Sequence, residues 1–215
     1  MIKRFKTTIE QGLECIITIP KITDPHKKLP TILFLHGAGE RGNDINLVMK
    51  HGIPKIASSD SDFPFITISP QCPEDEWWND KFELLRQITL KIIEENNGDI
   101  NRIYLTGLSM GGYGSWHMAA EYPQMFAAVV PICGGVFPLL GFPEKFKKLV
   151  STPIWSFHGE KDNVVPVEES RKVVNFLKKE GGIVKFTTYP DLKHDSWTIT
   201  YNNPELYTWL LKQHL

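Results

Sequence analysis

The sequence predicts an α/β protein: a mostly parallel central sheet of about eight strands, flanked by helices on both faces. Three observations lead there. Short, apolar, β-rich runs alternate with longer stretches of helical period along all 215 residues. Several runs, such as Thr31-Ile32-Leu33-Phe34-Leu35, are continuously hydrophobic, as strands covered on both faces are. Neither an internal repeat nor a linker divides the chain, so one domain over 1–215 is expected, long enough to bury a substantial core.

The first runs, near Ile2–Ile9 and Cys15–Pro20, have no helical pattern between them and should pair antiparallel at one edge. The further strands expected are Thr31–His36, Phe65–Ser69, Ile103–Thr106, Ala127–Ile132, Pro153–His158 and Val184–Tyr189. Phe82, Leu85, Ile88, Ile92 and Ile93 make one apolar stripe on a helix over Asp80–Asn96, which stops at Asn97-Gly98. Tyr113–Tyr122 is helix-compatible. Val173, Val174 and Leu177 stripe a helix after Pro166, which suits a first turn; Leu206, Trp209 and Leu210 stripe another over Asn203–Leu215. Between Ile132 and Pro153 there is no room for a large lid domain. The apolar, Gly/Pro-punctuated segment Gly134–Pro143 is expected as a small flap.

Composition narrows the functions. With 24 Lys+Arg against 25 Asp+Glu, the chain has no basic footprint for nucleic acid. No apolar run approaches the roughly 18 residues of a membrane-spanning helix, and Met1–Cys15 lacks the apolar centre of a signal peptide. Cys15, Cys72 and Cys133 are odd in number and far apart, which suggests neither a zinc cage nor a redox pair. They read as buried small hydrophobes in a reducing, cytoplasmic compartment.

In an open parallel sheet, ligands bind where loops leave the carboxyl ends of strands. After the strand ending at Thr106 comes Gly107-Leu108-Ser109-Met110-Gly111-Gly112, a GxSxG in strand–turn–helix context. The two outer glycines leave room for a sharp turn that lifts the Ser109 hydroxyl clear of the sheet. That turn also aims the Met110 N–H and the following helix start at one point, which favours developing negative charge. The segment fails as a phosphate loop, because the Lys-Ser/Thr ending is missing.

Serine needs a base. Of seven histidines, His36 and His158 are pinned at strand ends, whereas His194 sits in a polar loop that can carry an imidazole over the serine. A carboxylate must then orient that imidazole. Asp162 is preferred, because Val164, Val165 and Pro166 fix its loop; Glu160, Asp191 and Asp195 compete. A glycine-rich turn after the strand ending at His36 can present the Ala38 N–H opposite that of Met110, making the two donors of an oxyanion hole. His36 itself reads as a brace for that loop. Trp77, Trp78 and Trp197 fall in loops at the same edge and are candidate substrate-binding residues.

The order Ser109, Asp162, His194 is that of α/β-hydrolases. With Leu35-His36-Gly37-Ala38-Gly39-Glu40-Arg41-Gly42, Pro70-Gln71-Cys72-Pro73, Trp77-Trp78, His158-Gly159-Glu160-Lys161-Asp162 and His194-Asp195-Ser196-Trp197, the chain resembles that superfamily. Within it, the chain resembles the small carboxylesterase/phospholipase and predicted-peptidase branch, which includes feruloyl- and acetyl-esterase relatives. The resemblance implies the α/β-hydrolase fold and a Ser–His–Asp hydrolase of small-molecule esters that needs no metal or cofactor. Serine at the elbow departs from the cysteine of dienelactone hydrolases. A short-acyl carboxylesterase is the expectation. The alternatives are a lysophospholipase or thioesterase, a small serine peptidase, and a noncatalytic binding module on the same fold.

Overall fold

A computed structural model describes residues 2–6, 12–21 and 26–215. Its strands are β1 (Ile2–Lys6), β2 (Glu14–Thr18), β3 (Leu29–Leu35), β4 (Ile66–Pro70), β5 (Gly98–Leu108), β6 (Ala128–Ile132), β7 (Ile154–Gly159) and β8 (Val184–Tyr189). They form one sheet in the order β1-β2-β4-β3-β5-β6-β7-β8. The pairs β1/β2 and β2/β4 are antiparallel, and every pair from β4 to β8 is parallel. Residues 7–9 of the first expected strand lie outside the described residues.

Strand periodicity explains the layers. Alternate side chains of β3 point to opposite faces, and all seven residues of the strand are buried. Ile32 and Phe34 pack into a core with Ile53, Tyr104, Tyr201, Leu206 and Leu210. Leu33 and Leu35 face the other core, with Leu85, Ile88, Trp116, Val173 and Leu177. The helices divide accordingly. α1 (Gly52–Ser59), α5 (Trp197–Tyr201) and α6 (Pro204–Leu210) cover the first face; α2 (Phe82–Glu95), α3 (Met110–Glu121) and α4 (Val167–Lys179) cover the second. Each fully buried Leu, Ile or Phe contributes about 1.5–3 kcal/mol to this arrangement.

Several boundaries differ from expectation, each for a local reason. β5 begins at Gly98 rather than Ile103, because its first residues are polar: Arg102 Nε donates to Asp99 Oδ2 at 2.7 Å, and the hydrophobic run starts only afterwards. Pro166 is the N-cap of α4 rather than part of its first turn. The last helix ends at Leu210, five residues early, and its start is capped by Asn203, whose side chain accepts from the Glu205 N–H at 3.0 Å. α1 and α5 were not expected; with eight and five residues, they are too short for a helical stripe to stand out. Segment 134–143 holds one 3-10 turn, Pro138–Leu140, and the described residues carry no large lid.

The chain changes direction about β3: β4 lies on one side of it and β5 on the other. Loops leaving the carboxyl ends of β3 and β5 therefore diverge and leave a crevice between them. The stretches carrying Ser109, Asp162 and His194 meet there.

Candidate active site

Ser109 follows β5 directly and caps α3 with φ 53° and ψ −116°, a conformation L residues rarely adopt. Its N–H donates to the Ile132 carbonyl at 3.0 Å and also faces Cys133 Sγ at 3.3 Å. The strained turn exists because its flanks are bare: a Cβ on Gly107 would strike the Gly111 carbonyl, and one on Gly111 would strike that of Leu35. β5 lies beside β3 with Gly107 opposite Leu35, so the Ser109 turn is clamped against the strand that leads into the loop of Gly37 and Ala38.

The Ser109 hydroxyl lies 3.0 Å from His194 Nε2, and His194 Nδ1 lies 2.7 Å from Asp162 Oδ2. Residues 85 and 32 positions apart thus form one hydrogen-bonded row. The other oxygen of Asp162 accepts the Val164 and Val165 N–H groups at 2.9 and 3.0 Å. Burial works to raise the Asp162 carboxyl. The His194 ring and the Val165 and Val164 amides outweigh burial and hold it below its ordinary range, as the anion. The competitors are engaged elsewhere: Glu160 with Arg171, Asp191 with Lys161, and Asp195 with Thr198.

Opposite the elbow, a Cβ on Gly37 would lie 3.6 Å from that of Ser109. Ala38 therefore follows immediately beside Ser109. The Gly37 N–H donates to Glu40 Oε2 at 3.0 Å, and this internal tie fixes the turn. Burial raises the Glu40 carboxyl, partly offset by His51 and by that amide. Among the described residues, neither the Ala38 nor the Met110 N–H donates to an acceptor within the chain. His36 anchors the loop from below: Nδ1–H donates to the Gly37 carbonyl at 2.6 Å, and Nε2 accepts the Cys72 N–H at 2.9 Å. Burial pushes its imidazole down to about 4, so it stays neutral.

The three tryptophans separate. Trp78 is 1% exposed, donates Nε1–H to the His36 carbonyl at 3.0 Å and packs edge-on to that ring. It cannot reach a substrate, which corrects its expected binding role: the side chain is needed as a prop under the loop. Trp77 is 45% exposed, with the Arg41 guanidinium over its face at 5.7 Å and Phe137 edge-on at 6.2 Å. Trp197 is half-buried and stands edge-on to His194 at 5.2 Å and to His51 at 5.8 Å.

Sequence reasoning missed Tyr113 and Phe137. These rings stack at 4.7 Å and continue the aromatic row from Trp77 to the first turn of α3, where the Tyr113 N–H donates to the Ser109 carbonyl. The signal was faint: Tyr113 lies one helical turn after the serine, but Phe137 joins it only through the fold. Cys133, Asp162 and His194 bring potential metal-ligand atoms within 4.8 Å of one another. Both Asp162 oxygens and both His194 nitrogens are already hydrogen-bonded, and burial pushes the Cys133 thiol up, toward its protonated form. The donor set suits a proton relay better than a cation cage.

Residues 59–203, which hold Ser109, Asp162 and His194, match the model of the phospholipase/carboxylesterase family. The chain belongs to the phospholipase/carboxylesterase family. Its similarity to individual proteins agrees with that membership. It is 26% identical over 189 residues to a probable carboxylesterase of Oryza sativa subsp. japonica, covering 76% of this chain and 80% of the rice protein. It is 32% identical over 123 residues to a bifunctional acetylxylan esterase/xylanase of Neocallimastix patriciarum, covering 57% of this chain but 17% of that enzyme. The solved structure of a thermostable esterase superposes with a TM-score of 0.85 at 35% identity, covering 100% of this chain and 63% of the esterase. The chain spans less than two thirds of the length of the acetylxylan esterase/xylanase and of the thermostable esterase. No helix among the described residues is long and apolar enough to cross a membrane.

Proposed function

We propose that this protein is a serine carboxylesterase, with 1–215 acting as one α/β-hydrolase domain. Ser109 attacks the ester carbonyl as His194 takes its proton, and Asp162 holds the imidazole and balances its charge. The Ala38 and Met110 N–H groups receive the oxyanion. Each such donor is worth about 10²–10³ in rate. His194 returns the proton to the departing alcohol, and water then releases the acyl group by the same route in reverse. The observation that carries this reading is the unbroken row Ser109–His194–Asp162, at 3.0 and 2.7 Å.

The substrate proposed is a small, water-soluble, short-acyl or aryl ester. The absence of a large lid and the aromatic faces of Trp77 and Trp197 favour it over a long-chain lipid. Three buried free cysteines suit a reducing, cytoplasmic setting.

The test is a panel of esters, thioesters and aminoacyl amides of increasing acyl length, with fluorophosphonate labelling read by intact mass. Expected are one label on the wild type, none on Ser109→Ala, and turnover highest on short-acyl esters. A Ser109→Ala variant that still hydrolyses most of the substrate removes the serine mechanism. A steep rise in rate with acyl length removes the short-acyl preference.

A further inference from the structure

Asp162 Oδ2 faces two imidazoles. His194 Nδ1 lies on it at 2.7 Å, and His158 Nε2, from the end of β7, lies 3.2 Å away. His158 is fully buried, and no step of the proposed mechanism uses it. Its surroundings can be counted in protons. Nε2 is 2.8 Å from the Val165 carbonyl, which can only accept, so Nε2 must carry a hydrogen. Nδ1 is 2.8 Å from Ser170 Oγ. That hydroxyl has a single hydrogen, and it lies 2.6 Å from the Gly134 carbonyl, again a pure acceptor. With the Ser170 hydrogen directed at Gly134, Nδ1 must carry a hydrogen as well. Either neutral form of the ring leaves two acceptors pressed together without a proton between them, in a buried site where such a contact is costly.

Burial, the largest influence, and the His194 ring draw the imidazole below its ordinary value, toward neutrality, while the Val165 carbonyl and the Asp162 carboxylate oppose them. The charge is required by the hydrogen-bond geometry, against burial. The charged or titratable groups near it are Asp162 and Glu160 from the loop after β7, and His194 from the loop after β8. Arg171 of α4 is paired to Glu160; the α4 group that touches the ring is the neutral Ser170.

We propose that His158 is held as a buried imidazolium and is a positioning residue of the catalytic row, sharing the Asp162 carboxylate with His194. The inference rests on the triad reading above. A fixed positive charge on Asp162 reduces the support that carboxylate lends to a second charge on His194. Once His194 holds the Ser109 proton, it therefore gives that proton more readily to the leaving alcohol.

Two measurements test this. In ¹⁵N-histidine-labelled wild-type protein at pH 7, the ring in contact with Val165 and Ser170 should show both nitrogens protonated; a single protonated nitrogen overturns the proposal. The acid limb of the kcat/KM–pH profile should move up by about one pH unit in His158→Gln. A limb that stays in place while kcat alone falls overturns the positioning role. The first measurement needs no variant, so a His158→Gln protein that fails to fold leaves the proposal falsifiable. A neutral His158 in enzyme that a fluorophosphonate still labels at Ser109 sinks this inference alone. Wild-type protein without labelling sinks the triad, and the positioning role with it.

Discussion

The Ser109 corner and the aromatic rim above it are built on opposite terms. At the corner, main chain presses on main chain: Gly107 and Gly111 let β3, β5 and α3 meet without side chains between them, and Gly37 sits against Ser109. At the rim, Trp77, Phe137 and Tyr113 touch through ring edges and faces, and Leu139 next to them is 99% exposed. A methyl group has no room at the corner, whereas whole side chains could be exchanged at the rim. The contrast separates two tasks. Fixed geometry resides in backbone packing, and variation is left to replaceable rings.

The sharpest way to break that comparison is Gly111→Ala. Its Cβ would enter the Leu35 carbonyl, so the elbow must open or the strands part. A loss above about 4 kcal/mol in urea unfolding, or no soluble protein, is expected. Near-normal stability would show that the corner yields after all. Gly37→Ala is gentler: the new methyl meets Leu108 Cδ1 at 2.9 Å and Glu40 Oε2 at 3.2 Å, and both can give way by displacing the loop. It should cost about 10²-fold in kcat, with KM little changed, because Ala38 moves relative to the oxyanion. A fall in KM-governed binding alone would argue against that donor.

Acid tests the same loop from below. His36 is held neutral, down to about 4, while in the unfolded chain it protonates near 6.5. Between those values the unfolded state takes a proton that the folded state refuses, so stability falls as pH drops from 6.5 to about 4 and levels off below. Its part in that loss is on the order of 2–3 kcal/mol. The depressed Asp162 carboxyl acts in the same direction: its contribution is complete above its ordinary range and is lost as pH falls through its folded value. Urea midpoints from pH 7 to 4 should slope less in His36→Gln, and an identical slope would acquit His36. The smallest effect belongs to the rim. Trp77→Ala should leave stability within about 0.5 kcal/mol and lower kcat/KM for aryl esters by up to roughly tenfold, sparing acetyl esters. Equal losses on both classes would assign Trp77 to the loop rather than to recognition.

What could be read in advance follows the same division. Most central strands were placed to within one or two residues, because a buried strand must be apolar along its length, and the half-exposed edge strand β8 was placed at its observed limits. β5 was underestimated where its edge is solvated and polar. The stretches bearing Ser109, Asp162 and His194 were legible, since each follows a strand and carries a residue type its chemistry requires. The environment of those residues was not. Nothing local in the sequence says that Trp78 turns inward to hold His36, or that Phe137 crosses over to stack on Tyr113. Nor does it say that Ser170, twelve residues away along the chain, dictates the protons of His158. Such contacts depend on which loops the topology brings together, and no periodicity encodes them.

The final residues bear on how the protein can be handled. The Leu215 N–H donates to the Asn101 carbonyl at 3.0 Å, and the Gln213 carbonyl accepts from the Tyr104 hydroxyl at 3.0 Å. Asn101 lies in the opening half of β5 and Tyr104 just past its middle, whereas Ser109 leaves its far end. A tether attached at residue 215 would hold the enzyme by its floor, with the mouth turned outward to the liquid. Grafted onto a bead or electrode in that orientation, it should work at nearly its free rate.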